Sequence, residues 1–115
     1  MGIDHSSQGI LTVDLLPEPD MGTELENADN VVRDRGDCDV VVDFSSVDII
    51  TSSSIAKLLK LKELLDGCGH RLVLCGLIMA TKQIFMLAGL DKVFDFADDK
   101  SAALTTVKNA QQVKS

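Results

Sequence analysis

Apolar positions along this chain change period several times, and each change marks an element. Ile10-Leu11-Thr12-Val13-Asp14-Leu15 has strand character, and Ile3–His5 is placed to pair with it as a hairpin across Ser6-Ser7-Gln8-Gly9. Pro17-Glu18-Pro19-Asp20 follows as an extended link, because two prolines so close cannot continue a helix or a central strand. Thr23–Arg35 returns to helical spacing, with Leu25, Ala28, Val31 and Val32 on an inner face and Gly36 as its stop. Val40–Phe44 opens with three consecutive valines, the continuous apolar run of a strand covered on both faces. A helix is predicted over Ser54–Leu65, halted by Asp66-Gly67-Cys68-Gly69, then a buried strand over Leu72–Cys75. Thr81–Ala88 reads as a helix ended by Gly89, Val93–Phe96 as a short strand, and Asp99–Val113 as a terminal helix with Asp98 or Asp99 as its N-cap. Strands alternating with helices predict an α/β domain.

The leucines of the helix over Ser54–Leu65 exceed one buried stripe. Ile55, Leu58, Leu59 and Leu65 share a broad inward face, while Leu61 and Leu64 fall beside it toward Lys57 and Lys60. Met79 and Met86, on or beside the next helix, are adaptable side chains suited to a partner surface. Core packing and partner binding both account for this surplus.

Length and charge narrow the function. A chain of 115 residues, 45% hydrophobic, builds one domain around one core, here residues 1–115 with a core of about 10–107. The longest apolar run, Leu72–Ala80, falls well short of the roughly 20 residues of a membrane span, and no secretory signal is visible. Gly2 and Ser6 loosely match a myristoylation pattern, but no basic cluster follows as a second anchor. Cys38, Cys68 and Cys75 show no metal-binding or redox spacing and read as reduced thiols of a cytoplasmic protein. The net charge of −7 is uneven: residues 1–50 carry 12 acids and 2 bases, and residues 51–115 carry 6 acids and 9 bases. An acidic chain with 3% aromatic residues does not fit nucleic-acid binding. No phosphate-binding glycine loop, metal-ligand spacing or nucleophile elbow is present, so neither a catalytic site, a metal nor a cofactor is expected. His5 and His70 read as solvated or capping residues.

What stands out is the hydroxyl-rich join between the valine strand and the next helix, Asp43-Phe44-Ser45-Ser46-Val47-Asp48-Ile49-Ile50-Thr51-Ser52-Ser53-Ser54-Ile55. Its last serines fall where helix-capping residues sit, next to free N–H groups and the positive end of the helix dipole. Asp43 and Asp48 are expected to close turns around it rather than to form an acid–base pair. This stretch resembles the switch segment of the STAS domain family, the sulfate transporter and anti-sigma factor antagonist fold. Ala80–Phe94 is similar to that family's late helix, Gly-Leu turn and final strand, and Ser101-Ala102-Ala103-Leu104 to the start of its last helix. The resemblance runs from about Ile10 to Val107. It implies a mixed central β-sheet with about four helices packed mainly on one side.

The resemblance also implies a role for each switch residue. Asp43 matches the strand-end aspartate and Ser45 the hydroxyl after it. Thr51 stands where the family has aspartate, Ser52 and Ser53 match its two hydroxyl positions, and Ser54 replaces a glycine. Ser53 is the first choice for phosphorylation and Ser52 the second. The function implied is an anti-sigma factor antagonist, a non-enzymatic bacterial module that binds a kinase-type anti-sigma factor of the histidine-kinase-like ATPase class and is released by serine phosphorylation. The alternative is a scaffold or adaptor subunit of a stress-sensing or lipid-transport complex in which the serines are structural. The expected partner surface comprises Asp43, Asp48, Thr51, Ser52, Ser53, Ser54, Lys57, Lys60, Ile78 and Met79. A homodimer stays open.

Overall fold

A computed structural model describes the backbone of residues 3–5, 9–17, 20–35 and 38–114 and the side chains of residues 9–17, 20–34 and 38–109. Ser6, Ser7 and Gln8 of the predicted hairpin turn, Glu18 and Pro19 of the link, and the helix stop Gly36 lie outside the described residues, as do Gly2 and the side chain of His5. In chain order the elements are β1 (Ile3–His5), β2 (Ile10–Asp14), α1 (Met21–Arg35), β3 (Asp39–Asp43), α2 (Ser52–Gly67), β4 (Leu72–Cys75), α3 (Met79–Leu87), β5 (Asp95–Ala97) and α4 (Lys100–Lys114). The strands form one sheet in the order β1-β2-β3-β4-β5, antiparallel only at β1–β2. This is the α/β architecture and mixed sheet expected from the sequence.

The uninterrupted apolar strands are explained by burial on both faces. Leu11, Val13, Val40, Val42, Leu72 and Leu74 point into the larger core with Leu25, Ala28 and Val32 of α1, Leu58, Leu61 and Leu65 of α2, and Phe85 of α3. Their neighbours Ile10, Val41, Val73 and Cys75 point the other way and pack on Ala103 and Val107 of α4. Helices thus lie mainly on one side, with α4 alone on the other.

Several ends move from their predicted places for local reasons. Helix α2 begins at Ser52 because Thr51 caps it, and it runs on to Gly67. Gly69, at φ +77°, reverses the chain while its N–H donates to the Asp66 carbonyl and that of His70 to Leu65. The same closure ends α3 at Leu87, where Gly89 at φ +74° donates to Met86 and Leu90 donates to Phe85. Both Val93 and Phe94 donate their N–H groups to the Leu90 carbonyl, a turn that delays β5 to Asp95. Asp99 caps α4 by accepting from the Ala102 N–H at 2.8 Å. His70 approaches Asp39 Oδ1 at 3.2 Å, and the same oxygen accepts from the Arg71 N–H, so this histidine holds a turn.

Phe85 is the pin of the larger core. Fully buried, it meets Phe44, Phe94 and Phe96 edge-on at 6.4, 5.6 and 5.7 Å between ring centroids, joining α3 to the chain after β3 and to β5. Phe85→Ala should cost about 3–5 kcal/mol, a large share of the roughly 5–15 kcal/mol that holds a domain folded. Phe85→Leu should cost less, about 1.5 kcal/mol. Urea unfolding of the two variants checks the order; equal losses would mean that the ring contacts, rather than the volume filled, hold this part of the core.

Candidate functional site

In an open parallel sheet, the loops at the carboxyl ends of the strands are the natural place for a site. Register aligns Asp14, Asp43 and Cys75 across β2, β3 and β4 at that edge. The charges there are held by Lys100, from the first turn of α4, whose Nζ lies 2.6 Å from Asp14 Oδ1 and 3.7 Å from Asp43 Oδ2. The hydrogen bond to Asp14 raises the Lys100 pKa, so the cation is fixed in place. Burial and then the Asp43 charge push the Cys75 thiol up to about 12, which leaves it protonated and inert.

Asp43 does more than end the strand. Its Oδ1 accepts the Ser45 N–H at 2.9 Å and the Ser45 hydroxyl at 2.5 Å, turning the chain into the hydroxyl-rich segment. Gly76, at φ +71°, backs this turn from the end of β4. A Cβ on Gly76 would stand 2.7 Å from both Asp43 Oδ1 and Ser45 Oγ, too close for any side chain. Asp48 was expected to close a turn as well; it is exposed and makes no side-chain hydrogen bond among the described residues.

The serines are placed differently from the sequence reading. Thr51, not a serine, is the N-cap, its Oγ1 accepting the Ser54 N–H at 3.2 Å. Ser52, Ser53 and Ser54 are therefore the first three residues of α2. Ser54 is 2% exposed and shares the inner face with Leu58, Leu61 and Leu65, so its Cβ points away from the surface expected of it. Ser52 and Ser53 are exposed, and the Ser53 hydroxyl has no hydrogen-bond partner among the described residues.

Ser53 borders an open cleft of ≈ 430 Å³ whose other margins are Thr51, Ser54 and Lys57 of the α2 end and Gly22, Thr23 and Glu26 of α1. The first turn of α2 contains no acid, so its positive end is uncompensated by its own sequence. Lys57, expected on the partner surface, donates to Glu26 Oε2 at 2.9 Å. Lys60, a turn farther along α2, is exposed. The supposed surplus of leucines is core: Leu61 is fully buried, and Ile55, Leu59 and Leu64 pack against the same cluster. Exposed apolar side chains lie elsewhere, at Ile49 of the hydroxyl-rich segment, at Ile78 and Met79 after β4, and along α3 to Met86 and Leu87. Met79 and Leu87 are 68% and 89% exposed.

The sequence reading missed Glu26 and Gly22, Gly76, and the Asp14–Lys100 pair. A signal existed only for the pair: Asp14 and Asp43 each close an apolar strand run, the pattern of two parallel strands ending level. No metal-binding group of acids, histidines and cysteines occurs among the described residues. Nor is any helix among them long and apolar enough to cross a membrane.

Residues 21–103 match the sequence model of the STAS domain. No curated protein matches the chain. Several solved structures share the fold over nearly its whole length. A serine-to-glutamate variant of RsbS from Moorella thermoacetica is 18% identical, covers 96% of each chain and has a TM-score of 0.83. A chain of the stressosome, a signal integration and transduction hub, is 19% identical over 95% of this chain and 97% of its own, with a TM-score of 0.74. The anti-sigma factor antagonist SpoIIAA in its unphosphorylated form is 13% identical over 92% and 96%, with a TM-score of 0.72. SpoIIAA of Bacillus in the phosphorylated form gives 14%, 90% and 96%, and 0.68. At such identities the likeness is one of fold.

Two measurements check this geometry. Thr51→Ala should cost about 1 kcal/mol of stability as a lost cap, whereas Ser52→Ala and Ser53→Ala should change it by less than about 0.5 kcal/mol; equal losses would mean that the serines share the capping. With a thiol reagent at pH 8, exposed Cys68 should react long before Cys75, and fast labelling at Cys75 would show that the strand ends are open to solvent.

Proposed function

The chain belongs to the STAS domain family, and on that premise we propose that it is an anti-sigma factor antagonist-like binding module switched by phosphorylation of Ser53. The observation that carries this reading is an exposed, unpartnered hydroxyl in the first turn of a helix, facing an open cleft beside a lysine. A kinase-type anti-sigma factor of the histidine-kinase-like ATPase class is the proposed partner. Ser53 Oγ takes the γ-phosphoryl group of ATP, ADP leaves, and the hydroxyl proton passes to a base of the kinase or to water. The product carries about −1.5 to −2 in charge at neutral pH. At this position the helix dipole and the unfilled first-turn N–H groups favour the added charge, so the fold is kept. The effect falls on binding, since a partner covering the cleft would have to desolvate a dianion near Glu26.

The module works by binding rather than by catalysis, and the apolar residues at the same sheet edge, Ile49, Ile78 and Met79, extend the surface available to a partner. Ser52, exposed one residue earlier, is the second choice for the phosphate. Asp43 serves this surface indirectly, by fixing the turn at Ser45.

A second reading is favoured by the apolar face that continues along α3 to Leu87, beyond the reach of the switch. A scaffold subunit of a stress-sensing assembly needs more than one contact surface, and the fold is similar to that of a stressosome chain. In that role the serines cap and turn but carry no phosphate.

Incubation with a kinase-type anti-sigma factor of that class and ATP should add one phosphate, mapped by mass spectrometry to Ser53. Ser53→Asp should leave the melting temperature nearly unchanged and weaken binding to that partner at least about tenfold, or roughly 1.4 kcal/mol. An active kinase that leaves the mass unmodified would favour the scaffold, and a Ser53→Asp chain that unfolds would remove the basis of the switch.

A further inference from the structure

Lys57 occupies a contested position. It lies four residues after Ser53, so the two side chains are neighbours on one face of α2, and both border the same cleft. The lysine stem lies across the first turn of α1: a Cβ on Gly22 would stand 3.5 Å from its Cε and 3.8 Å from its Nζ. From there the ammonium reaches Glu26 Oε2 at 2.9 Å, the ion pair that joins α1 to α2 among the described residues. The cleft thus gathers the acid-free positive end of α2, the first turn of α1 and one lysine, and Glu26 is the carboxylate among the residues that line it.

We propose that a phosphate on Ser53 competes with Glu26 for Lys57 and opens the ion pair between α1 and α2, so that the modification is read on α1 as well as at the serine. The inference rests on the phosphoserine reading above. A phosphoserine has three acceptor oxygens and nearly twice the charge of a carboxylate, and it stands N-terminal to Lys57 at i, i+4, the favourable order for such a pair. Sharing Lys57 would hold both anions around one cation, and their mutual repulsion opposes that arrangement. Glu26 can leave without disturbing the core, because its side chain is 63% exposed.

The charged groups around Glu26 are few. From α2 it faces Lys57 and, one turn on, Lys60; on α1 its neighbour Asp29 is held by Arg33 at 2.8 Å. The hydrogen bond from Lys57 and then its charge keep the Glu26 carboxyl below its ordinary pKa, with a smaller contribution from Lys60. Loss of Lys57 to a phosphate leaves Lys60 as the remaining cation. An uncompensated Glu26 then adds its charge to the rim of the cleft, so that a partner contacting α1 meets a changed surface there.

Side-chain NMR of the full chain, titrating Glu26, tests the exchange without any kinase. In Ser53→Glu the pKa of Glu26 should rise toward the ordinary glutamate value, and Ser53→Gln should leave it where it is in the parent chain. In the phosphorylated protein the rise should be larger, and Lys57→Met should raise the second pKa of the phosphoserine in a phosphorus-31 titration. A Glu26 pKa unchanged or lowered in Ser53→Glu overturns the exchange, even if Ser53 is phosphorylated and still controls binding. If instead Ser53→Glu moves Glu26 while no kinase modifies Ser53, the local competition stands and the phosphoserine reading fails.

Discussion

Burial of β2, β3 and β4 on both faces is the constraint from which the site follows. Register is strongly specified wherever a strand face is buried, because a one-residue slip turns every side chain to the opposite face, and here both faces must match the helices above and below. Here Val40 and Val42 face the larger core while Val41 faces α4. A shift of one residue would exchange those sets. The register so fixed brings Asp14, Asp43 and Cys75 level at one edge, and it sets the direction in which the chain leaves β3 for the hydroxyl-rich segment.

Polar contacts then refine what packing has aligned. Lys100 bridges the two strand-end carboxylates, relieving a repulsion that the parallel register itself creates. Asp43 directs the next turn through Ser45, and Gly76 leaves the space for it. Thr51 starts α2 by capping Ser54. The hydroxyls around the helix start are thereby sorted: Thr51 and Ser54 are engaged with the fold, and Ser53 is left facing the cleft. Such sorting suits a switch, because a group committed to the fold cannot change its charge without disturbing it.

The surface divides as the charge does. Acids concentrated in residues 1–50 supply Glu26 on α1, and the lysines of α2 come from the more basic remainder. From Gly76 to Leu90 the chain carries no acid and one lysine, and there the exposed apolar residues accumulate, from Ile78 and Met79 to Leu87. The cleft at the end of α2 and the apolar face of α3 are accordingly distinct in chemistry, the first suited to charge and the second to burial.

The sequence by itself determined the elements, their order and where in the chain a candidate site would be sought. Period changes, three consecutive valines and helix-ending glycines are local signals, written within a few residues of the element they specify. The hydroxyl-rich segment after Phe44 was legible for the same reason, as was the family resemblance it carries. Tertiary structure alone decided which hydroxyl caps α2, because Thr51 and the three serines offer the same chemistry and only the exit path from β3 selects among them. It decided that the leucines of α2 are core, since a wheel shows which residues share a face but not how much of the circumference α1 and the sheet will cover. And it paired Lys57 with Glu26, 31 residues away: such a contact arises only after two helices have docked, and no spacing along the chain encodes it.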